Sequence, residues 1–425
     1  MKDAAPPRVL IMTGGARGRG SSALSQALRP IFFKPMIRHV LDAAASVPRL
    51  SLGVVVGQGE PELREQLRDY ADLGFFPVRE GTGEAVALLA AAGQLGSEDG
   101  SVLVLDGRAP LLGGRTLVEL WERHARGGAA CTSAMAGDAP AGAYAFALPA
   151  LLGARAAAEG TLEDVAAAIK ASGLKTSVYR APDDGEAIVI ENLHDLWRAE
   201  TVLRERFNRE LMRKGVWLSD PRTTVIDPRC RIDQDVSIEG GVTILNSIIE
   251  SGVKIESACR ITDSTIGRGG LVKQGTRVDS SRAGQGCVLG PYAHLRPGTT
   301  LADEVFLGNF VEVKNSSIGA RTKVSHLSYI GDAEIGRNVN VGCGFITCNF
   351  DGGPVKQRTI VEDDVFIGSD SQAIAPVRFG AGSFIATGTS VTDDVPPDSF
   401  AISRGRQVTK PGYAKKYGRK KTPTS

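Results

Sequence analysis

Apolar residues recur every six positions in the second half of the chain, from about residue 222 to residue 405. The period is carried by residues such as Ile266, Val272 and Val278. Gly, Ser, Thr, Asp and Asn are common at the positions between. One apolar residue per six-residue repeat is typical of a parallel β-helix, in which each repeat supplies a short strand and a turn. Because no coil buries its apolar face alone, the pattern predicts a stacked solenoid with its chemistry on outward side chains and loops.

The first half of the chain alternates short apolar runs with helical patterns. The apolar runs lie at 9–12, 52–57 and 101–107, and the helical patterns include 36–45 and 60–70. This alternation predicts an α/β domain with a parallel sheet covered by helices on both faces. Residues 127–143 are rich in Gly and Ala without a clear period, and we expect them to form mainly loop.

A third pattern joins the two halves. Apolar residues between 192 and 214 have helical spacing, with charged residues between them, which predicts one long amphipathic helix. Residues after Arg406 are polar and basic and predict a solvated tail, with an arm for an acidic partner as the alternative. The expected organisation is an α/β domain at 8–190, a linker helix at 191–221, the β-helix at 222–405 and the tail at 406–425.

Composition excludes several classes of function. The 425 residues carry 50 Lys and Arg against 48 Asp and Glu, so no global field attracts nucleic acid or a membrane surface. No apolar run reaches the ~18 residues of a spanning helix, and no secretory signal is present, which predicts no membrane insertion. The six cysteines show no pairing or metal-ligand spacing, which indicates reduced thiols and a cytoplasmic protein.

Ordered segments between about 288 and 405 are more specific than the repeats. They are Leu-Arg-Pro-Gly at 295–298, Gly-Asn-Phe-Val-Glu-Val-Lys at 308–314, His-Leu-Ser-Tyr at 326–329, Gly-Asp-Ala-Glu-Ile-Gly at 331–336, Ile-Thr-Cys-Asn-Phe-Asp-Gly at 346–352, Asp-Val-Phe-Ile-Gly-Ser-Asp at 364–370 and Ala-Ile-Ser-Arg at 401–404. With them the second half closely resembles the acetyltransferase domain of the bifunctional N-acetylglucosamine-1-phosphate uridyltransferase/glucosamine-1-phosphate acetyltransferase family. The resemblance implies a left-handed β-helix, acetyl-CoA as cofactor, and homotrimers with active sites where chains meet.

The same resemblance assigns residue roles. It makes His326 the general base that takes a proton from the sugar amine as that amine attacks the thioester, a task that suits imidazole at neutral pH. It places Arg296 and Lys314 on the sugar phosphate, where two cations suit a dianion, although the bland alternative is ordinary surface cations. It places Tyr329 and Asn340 on the hexosamine.

The acetyl-CoA positions implied by the resemblance include three departures from the family pattern. They are Cys343, Asn349, Phe350, Lys356, Ser369, Thr387 and Arg404. Phe350 stands where Tyr is usual, which keeps the ring but removes one hydrogen bond of about 1 kcal/mol. Cys343 and Thr387 stand where Ala is usual. The loop before Lys356 is one residue longer than usual.

The first half resembles a degenerate form of the nucleotidyltransferase (Rossmann-type) domain of the same family. The nucleotide-binding positions that remain are Gly14, Gly15, Arg19, Gly81 and Thr82. Ser25-Gln26 replaces a Pro-Lys pair and removes a phosphate-binding cation, and Glu84 stands where His is usual.

The expected magnesium site has changed most. Arg108 occupies the place of the metal-binding Asp, and Mg²⁺ binds carboxylates and phosphates, not a cation. Asp106 and Asn192 are weak alternative ligands. We therefore expect no bound metal, with Mg²⁺ needed only if the first domain is active.

The predicted function is acetyl-CoA-dependent N-acetylation of glucosamine 1-phosphate, for UDP-N-acetylglucosamine and cell-envelope biosynthesis such as that of peptidoglycan and lipopolysaccharide. Three alternatives stay open. One is the full bifunctional enzyme that uses UTP and Mg²⁺, the second is an acetyltransferase for another amino-sugar phosphate, and the third is a non-enzymatic trimeric scaffold or nucleotide sensor.

Overall fold

The computed structural model describes residues 5–13, 27–57, 60–79, 82–96, 99–154 and 160–416. The chain divides between Phe207 and Asn208 into two units, each with its own core. The described helices include none that is both long and apolar enough to span a membrane. All six cysteines lie within the described ranges and are unpaired thiols, three of them buried. The finer boundaries expected at 190, 221 and 405 stay a prediction.

The first unit is built on one mixed sheet with helices on both faces. Its strands are β1 (Arg8–Met12), β2 (Pro30–Ile31), β3 (Lys34–Pro35), β4 (Ser51–Val56), β5 (Leu73–Pro77), β6 (Ser101–Asp106), β7 (Cys131–Ala136), β8 (Ala139–Ala147) and β9 (Thr176–Arg180). Its helices are α1 (Met36–Ala44), α2 (Glu60–Gln66), α3 (Glu84–Gly93), α4 (Gly114–Gly127), α5 (Leu148–Gly153), α6 (Leu162–Ala171) and a short 3-10 helix (Asp184–Ala187). The described sheet has the order β5-β4-β1-β6-β8-β7-β9, and β2 pairs with β3 separately.

The central strands are apolar on both faces because helices cover both sides of the sheet. In β1, Val9 and Ile11 join one buried cluster and Leu10 and Met12 join the other. β1 pairs in parallel with β4 and β6. The continuous apolar runs of the sequence therefore belong to buried parallel strands, as expected for a nucleotidyltransferase-like fold.

Two expectations for this unit were wrong. Residues 127–143 form no loop but most of the antiparallel hairpin β7–β8. The sheet is also not wholly parallel, since β8 runs antiparallel to β6. The buried positions of the hairpin are largely alanines such as Ala134, Ala143 and Ala145, which carry little of the hydrophobic contrast on which a period-2 signal depends.

Helix α7 (Leu193–Arg213) follows the first unit's last strand and lies within the segment whose apolar spacing predicted a helix. Ala199 of α7 is buried in a small cluster with Phe32, Met36 and Ile190. The ring of Phe207 meets that of Phe32 edge-on, with centroids 5.9 Å apart. The apolar face that the sequence pattern predicted thus packs on the core of the first unit.

The second unit is a left-handed parallel β-helix with three sheet faces. In its described part the first face holds β10 (Trp217–Leu218), β13 (Ser237–Ile238), β16 (Lys254–Ile255), β19 (Leu271–Val272), β22 (Val288–Leu289), β25 (Phe306–Asn309), β28 (Lys323–His326), β31 (Asn340–Val341), β34 (Phe366–Ile367), β37 (Phe384–Ile385) and β39 (Phe400–Ala401). The second face holds β11 (Val225–Ile226), β14 (Thr243–Leu245), β17 (Arg260–Thr262), β20 (Arg277–Asp279), β23 (His294–Leu295), β26 (Glu312–Lys314), β29 (Tyr329–Gly331), β32 (Ile346–Cys348), β35 (Gln372–Ile374) and β38 (Ser390–Val391).

The third face completes each coil. It holds β12 (Arg231–Ile232), β15 (Ile248–Ile249), β18 (Thr265–Ile266), β21 (Arg282–Ala283), β24 (Thr300–Leu301), β27 (Ser317–Ile318), β30 (Ala333–Ile335), β33 (Thr359–Val361) and β36 (Val377–Phe379). The six-residue period is explained because each repeat sends one side chain inward, as in fully buried Ile266, Val272 and Val278. A short 3-10 helix (Tyr413–Lys416) lies in the basic tail.

One excursion interrupts the coils between β32 and β33. Residues 349–358 leave the solenoid, and β33 then pairs with β30 in regular parallel register, with Thr359 opposite Ala333. The backbone N–H of Gln357 donates to the carbonyl of Asn349 at 2.9 Å and closes the base of the loop. The coil beneath is thus undisturbed by the insertion.

Replacing Phe345 tests how much the core of the β-helix contributes to stability. It is fully buried and its ring meets that of Phe379 edge-on at 6.4 Å. We expect Phe345→Ala to lower the free energy of unfolding of the second unit by about 3–5 kcal/mol, because the cavity adds to the lost burial. Chemical denaturation measures the change. The matched control, Phe384→Ala, removes a ring that is 43% exposed and should cost clearly less; equal losses would contradict a core role for Phe345.

Candidate functional site

Equivalent turn residues of successive coils form a column where the first face of the β-helix passes into the second. Asn309 pairs in register with His326, one coil apart. The carbonyl of Cys343 accepts from the N–H of Asp370 at 2.7 Å, and that of Ser369 from Gly388 at 2.9 Å. The turn column, as we call it, comprises Asn309, His326, Cys343, Ser369 and Thr387. It therefore brings the expected general base into line with three of the expected acetyl-CoA positions.

Arg404 extends this arrangement by one coil. A Cβ added at Gly388 would lie 3.5 Å from its side chain, so Arg404 crosses the turn that carries Thr387. Strand spacing in a sheet is about 4.8 Å, which makes the column long enough to follow an extended ligand.

His326 ends strand β28 with an exposed side chain. Its carbonyl accepts from the hydroxyl of Ser328 at 2.7 Å. Leu327, the next residue, has a positive φ of 39°, and its N–H donates to the carbonyl of Asn309 at 2.9 Å. These hydrogen bonds hold the backbone of His326 in place, and with it the point from which the imidazole side chain extends. Within the described part of the chain the imidazole itself has no hydrogen-bond partner, so both ring nitrogens are available to a ligand.

Cationic side chains gather on the neighbouring second face. Arg296 donates to the carboxylate of Glu312 at 2.7 Å, and Tyr329 lies opposite Glu312 in register. Glu312 lies two residues before Lys314 in the sequence, but its ion pair is with Arg296. Both partners are about two-fifths exposed, so this ion pair is open to solvent and to ligand.

Lys314 has Lys356 from the excursion beside it. The adjacent Lys356 side chain lowers the pKa of Lys314. Two adjacent ammonium groups repel each other, and an anion placed between them would relieve that repulsion. The structure thus places Lys356 beside Lys314, one of the two residues expected on the sugar phosphate.

Asp332 anchors the foot of the excursion. Its carboxylate accepts from the side chains of Asn315, at 2.6 Å, and Asn349. Burial opposes ionisation, but these hydrogen bonds and the charges of Lys314 and Lys356 lower the pKa of Asp332. Asn349 is consequently buried and held by protein, which leaves Phe350, 63% exposed, as the more accessible of the two neighbours.

Asn340 lies apart from Tyr329. It is exposed on β31 of the first face, opposite Lys323 in register, whereas Tyr329 belongs to the second face. The two expected hexosamine residues therefore flank the turn column on opposite sides. One further contributor, Asp332, was missed by sequence reasoning, although it stands within the quoted Gly-Asp-Ala-Glu-Ile-Gly segment.

In the first unit, Arg108 occupies the expected metal position with its own carboxylate partners. Its guanidinium binds both oxygens of Asp106, at 3.0 and 2.7 Å, and donates to Glu84 at 3.3 Å. The backbone N–H of Arg108 also donates to Asp106, at 2.8 Å. All three side chains are nearly buried, with 12% or less of each exposed. In this bidentate pair the guanidinium occupies carboxylate lone pairs of Asp106 that a metal ion would otherwise bind.

The charges of this cluster depend on one another. Burial by itself would lower the pKa of Arg108, but Asp106 and Glu84 outweigh it and raise that pKa. Burial and the charge of Asp106 raise the pKa of Glu84 to about 7, although Arg108 opposes the shift. The cluster supplies its own cation, so these residues do not fit Mg²⁺.

Two of the other first-unit candidates, Asn192 and Thr82, lie within the described residues. The side-chain oxygen of Asn192 accepts from the backbone N–H groups of His194 and Asp195, at 2.9 and 3.1 Å, and so caps helix α7. Thr82 donates to the carbonyl of Arg79. Gly14, Gly15, Arg19 and Gly81 lie outside the described residues. The described ranges contain no group of three or more potential metal ligands.

Comparison with known proteins covers both units. A search against protein-family models matched none. Some solved structures share only part of the architecture. A nucleotidyl transferase from Methanothermobacter thermautotroptrophicus covers 49% of this chain at 18% identity and a TM-score of 0.40. An Arabidopsis UDP-N-acetylglucosamine acyltransferase covers 43% at 17% identity and a TM-score of 0.34. At such scores the likeness carries no argument about function.

Curated proteins match along nearly the whole chain. One from Shouchella clausii is 35% identical over 456 aligned positions, which cover 96% of this chain and 98% of the relative. One from Pelobacter propionicus is 38% identical and one from Geobacter metallireducens 39%, each covering 95% of this chain and 97% of the relative. All three carry the name bifunctional protein GlmU. This chain belongs to the GlmU family of bifunctional enzymes.

Proposed function

We propose that this protein N-acetylates glucosamine 1-phosphate with acetyl-CoA to give N-acetylglucosamine 1-phosphate. The observation that carries the proposal is the turn column, in which His326 lies in line with Cys343, Ser369 and Thr387. The cations of the second face lie next to that column and suit a sugar phosphate. Amine, thioester and phosphate thus have separate, adjoining places on one chain.

The proposed reaction is a single acyl transfer. The sugar amine attacks the thioester carbonyl, the new C–N bond forms, and the C–S bond breaks to release the CoA thiolate. His326 takes the proton that the amine loses. Arg296 and Lys314 hold the phosphate, with Lys356 beside them, and Tyr329 and Asn340 orient the hexosamine. The acetyl-CoA path is lined by Asn349, Phe350, Lys356, Ser369, Thr387 and Arg404, with Cys343 nearest the base.

The proposed setting is a cytoplasmic homotrimer that supplies a precursor of UDP-N-acetylglucosamine for the cell envelope. Open flanks on both sides of the turn column support a trimer, because one coil surface leaves a ligand only half enclosed. We retain the boundaries 8–190, 191–221, 222–405 and 406–425 as proposed domains. An acetyltransferase for another amino-sugar phosphate would use the same site with a different sugar contact.

We further propose that the first unit has lost uridyl transfer and persists as a structural or nucleotide-sensing part. The closed cluster of Arg108, Asp106 and Glu84 supports this, since it leaves no free carboxylate pair for Mg²⁺. The second candidate is the full bifunctional enzyme, which the name shared by the relatives favours. A purely non-enzymatic scaffold would need none of the cations that adjoin the turn column.

Replacing His326 tests the acetyl transfer. We expect His326→Ala to lower kcat by about 10²–10⁴-fold, because the amine then has no base to take its proton. Thiol release from acetyl-CoA in the presence of glucosamine 1-phosphate measures the rate. Lys323→Ala, an outward residue on the same strand, is the control. Activity of His326→Ala within a few-fold of the parent would remove His326 from the mechanism.

The phosphate assignment is tested separately. Arg296→Ala and Lys314→Ala should each raise KM for glucosamine 1-phosphate by about tenfold or more, because each removes a charged hydrogen bond to the dianion. KM for acetyl-CoA should change little. Arg337→Ala, an exposed cation that pairs with Asp363, is the matched control. Loss of acetyl-CoA binding with intact sugar binding would show that the two pockets are exchanged.

The loss of uridyl transfer is tested with UTP, Mg²⁺ and N-acetylglucosamine 1-phosphate. We expect no pyrophosphate release, because Arg108 places a positive charge where the divalent cation should lie and the repulsion at about 4 Å is on the order of several kcal/mol. The double variant Gln26→Lys with Arg108→Asp restores the expected local charges and is the comparison. Mg²⁺-dependent release by the parent, abolished in Asp106→Asn, would establish the bifunctional enzyme instead.

A further inference from the structure

Asn309 occupies the turn column one coil before His326. The two residues are register partners on β25 and β28, so their backbones are separated by the strand spacing of about 4.8 Å. The coils are pressed together here: a Cβ added at Gly308 would lie 2.0 Å from the carbonyl oxygen of Ser325. The two backbones are therefore in close contact immediately before Asn309 and His326.

The side-chain oxygen of Asn309 is buried and has no hydrogen-bond partner within the described chain. Buried acceptors in folded proteins are nearly always satisfied, so an exception next to a functional group needs an explanation. The imidazole of His326, its register partner on the next coil, also lacks a hydrogen-bond partner within the described chain. An unused acceptor and an unused donor thus stand at equivalent positions of adjacent coils.

A histidine that acts as a base must keep one nitrogen unprotonated and aimed at the substrate. A hydrogen bond from its other ring nitrogen usually fixes that tautomer. We infer that Asn309 is the positioning residue for His326, accepting from one ring N–H when substrate orders the imidazole; this rests on the proposed function of His326. An amide oxygen orients the ring without adding charge.

Few charged groups adjoin this pair. Strands β25 and β31, which pair with β28 on either side, carry no titratable side chain. Titratable residues close to the pair along these coils include Lys323 on the same strand, Tyr329 just beyond the turn and Cys343 in the next coil. A carboxylate introduced at position 309 would therefore dominate the local charge.

The experiment combines two variants of Asn309 with pH profiles of acetyl transfer. Asn309→Ala should lower kcat about tenfold with both KM values nearly unchanged, because the base loses its orientation but the ligands keep their contacts. Asn309→Asp keeps an acceptor and adds a charge, so the acidic limb of the kcat profile should move up by about one pH unit. Activity on the alkaline side of that limb should stay within a few-fold of the parent.

Thr300→Asp is the matched control, since it adds the same charge on the third face, beside Arg282 in register, and should leave the acidic limb in place. An unmoved limb in Asn309→Asp, or a raised KM in place of a lowered kcat in Asn309→Ala, overturns the inference. His326→Ala is measured alongside. If that variant stays active, the proposed base itself is wrong; if it is inactive while the limb is unmoved, only the role of Asn309 fails. Thermal unfolding of each variant separates misfolding from these outcomes.

Discussion

Hydrogen bonding in register between successive coils is the constraint on which the second unit depends. Each strand is only a few residues long and is unstable alone, so each coil relies on its neighbours for both backbone partners and a buried face. This constraint also organises the chemistry. A residue at a given turn position must lie beside its equivalent in the next coil, which is how His326, Cys343 and Ser369, far apart in sequence, come to share one edge.

Much of this could be predicted from the sequence. A six-residue apolar period is typical of a parallel β-helix. The ordered motifs predicted which outward residues form the candidate site. The pairing of charges was harder to predict, because a side chain's partner lies one coil away and not within its own repeat. Glu312 therefore pairs with Arg296 instead of the nearby Lys314, and Lys356 reaches Lys314 from an excursion. The hairpin at 131–147 was not predicted, because its buried positions are largely alanines, whose hydrophobicity differs little from that of the residues between them.

In the first unit, the positive charge beside two buried carboxylates comes from the chain itself. Two buried carboxylates without a cation would repel each other and pay a large desolvation cost. Arg108 is that cation, and it lies two residues after Asp106, the last residue of β6. The family relationship extends over the whole chain, yet this cluster differs in kind from a metal site. Shared ancestry and shared chemistry are therefore separate questions for the two halves of one polypeptide.

The excursion between Asn349 and Gln357 has a consequence for how this fold changes over evolution. Its base is closed by a backbone hydrogen bond, and the coil resumes in register at Thr359. Residues can thus be gained or lost in the loop while every strand keeps its partners. Substitutions of the buried coil residues alter the stability of the whole stack, whereas substitutions in the loop beyond Asn349 alter the surface near Lys314. Residues at that surface can therefore change while the strand pairing of the coils is kept.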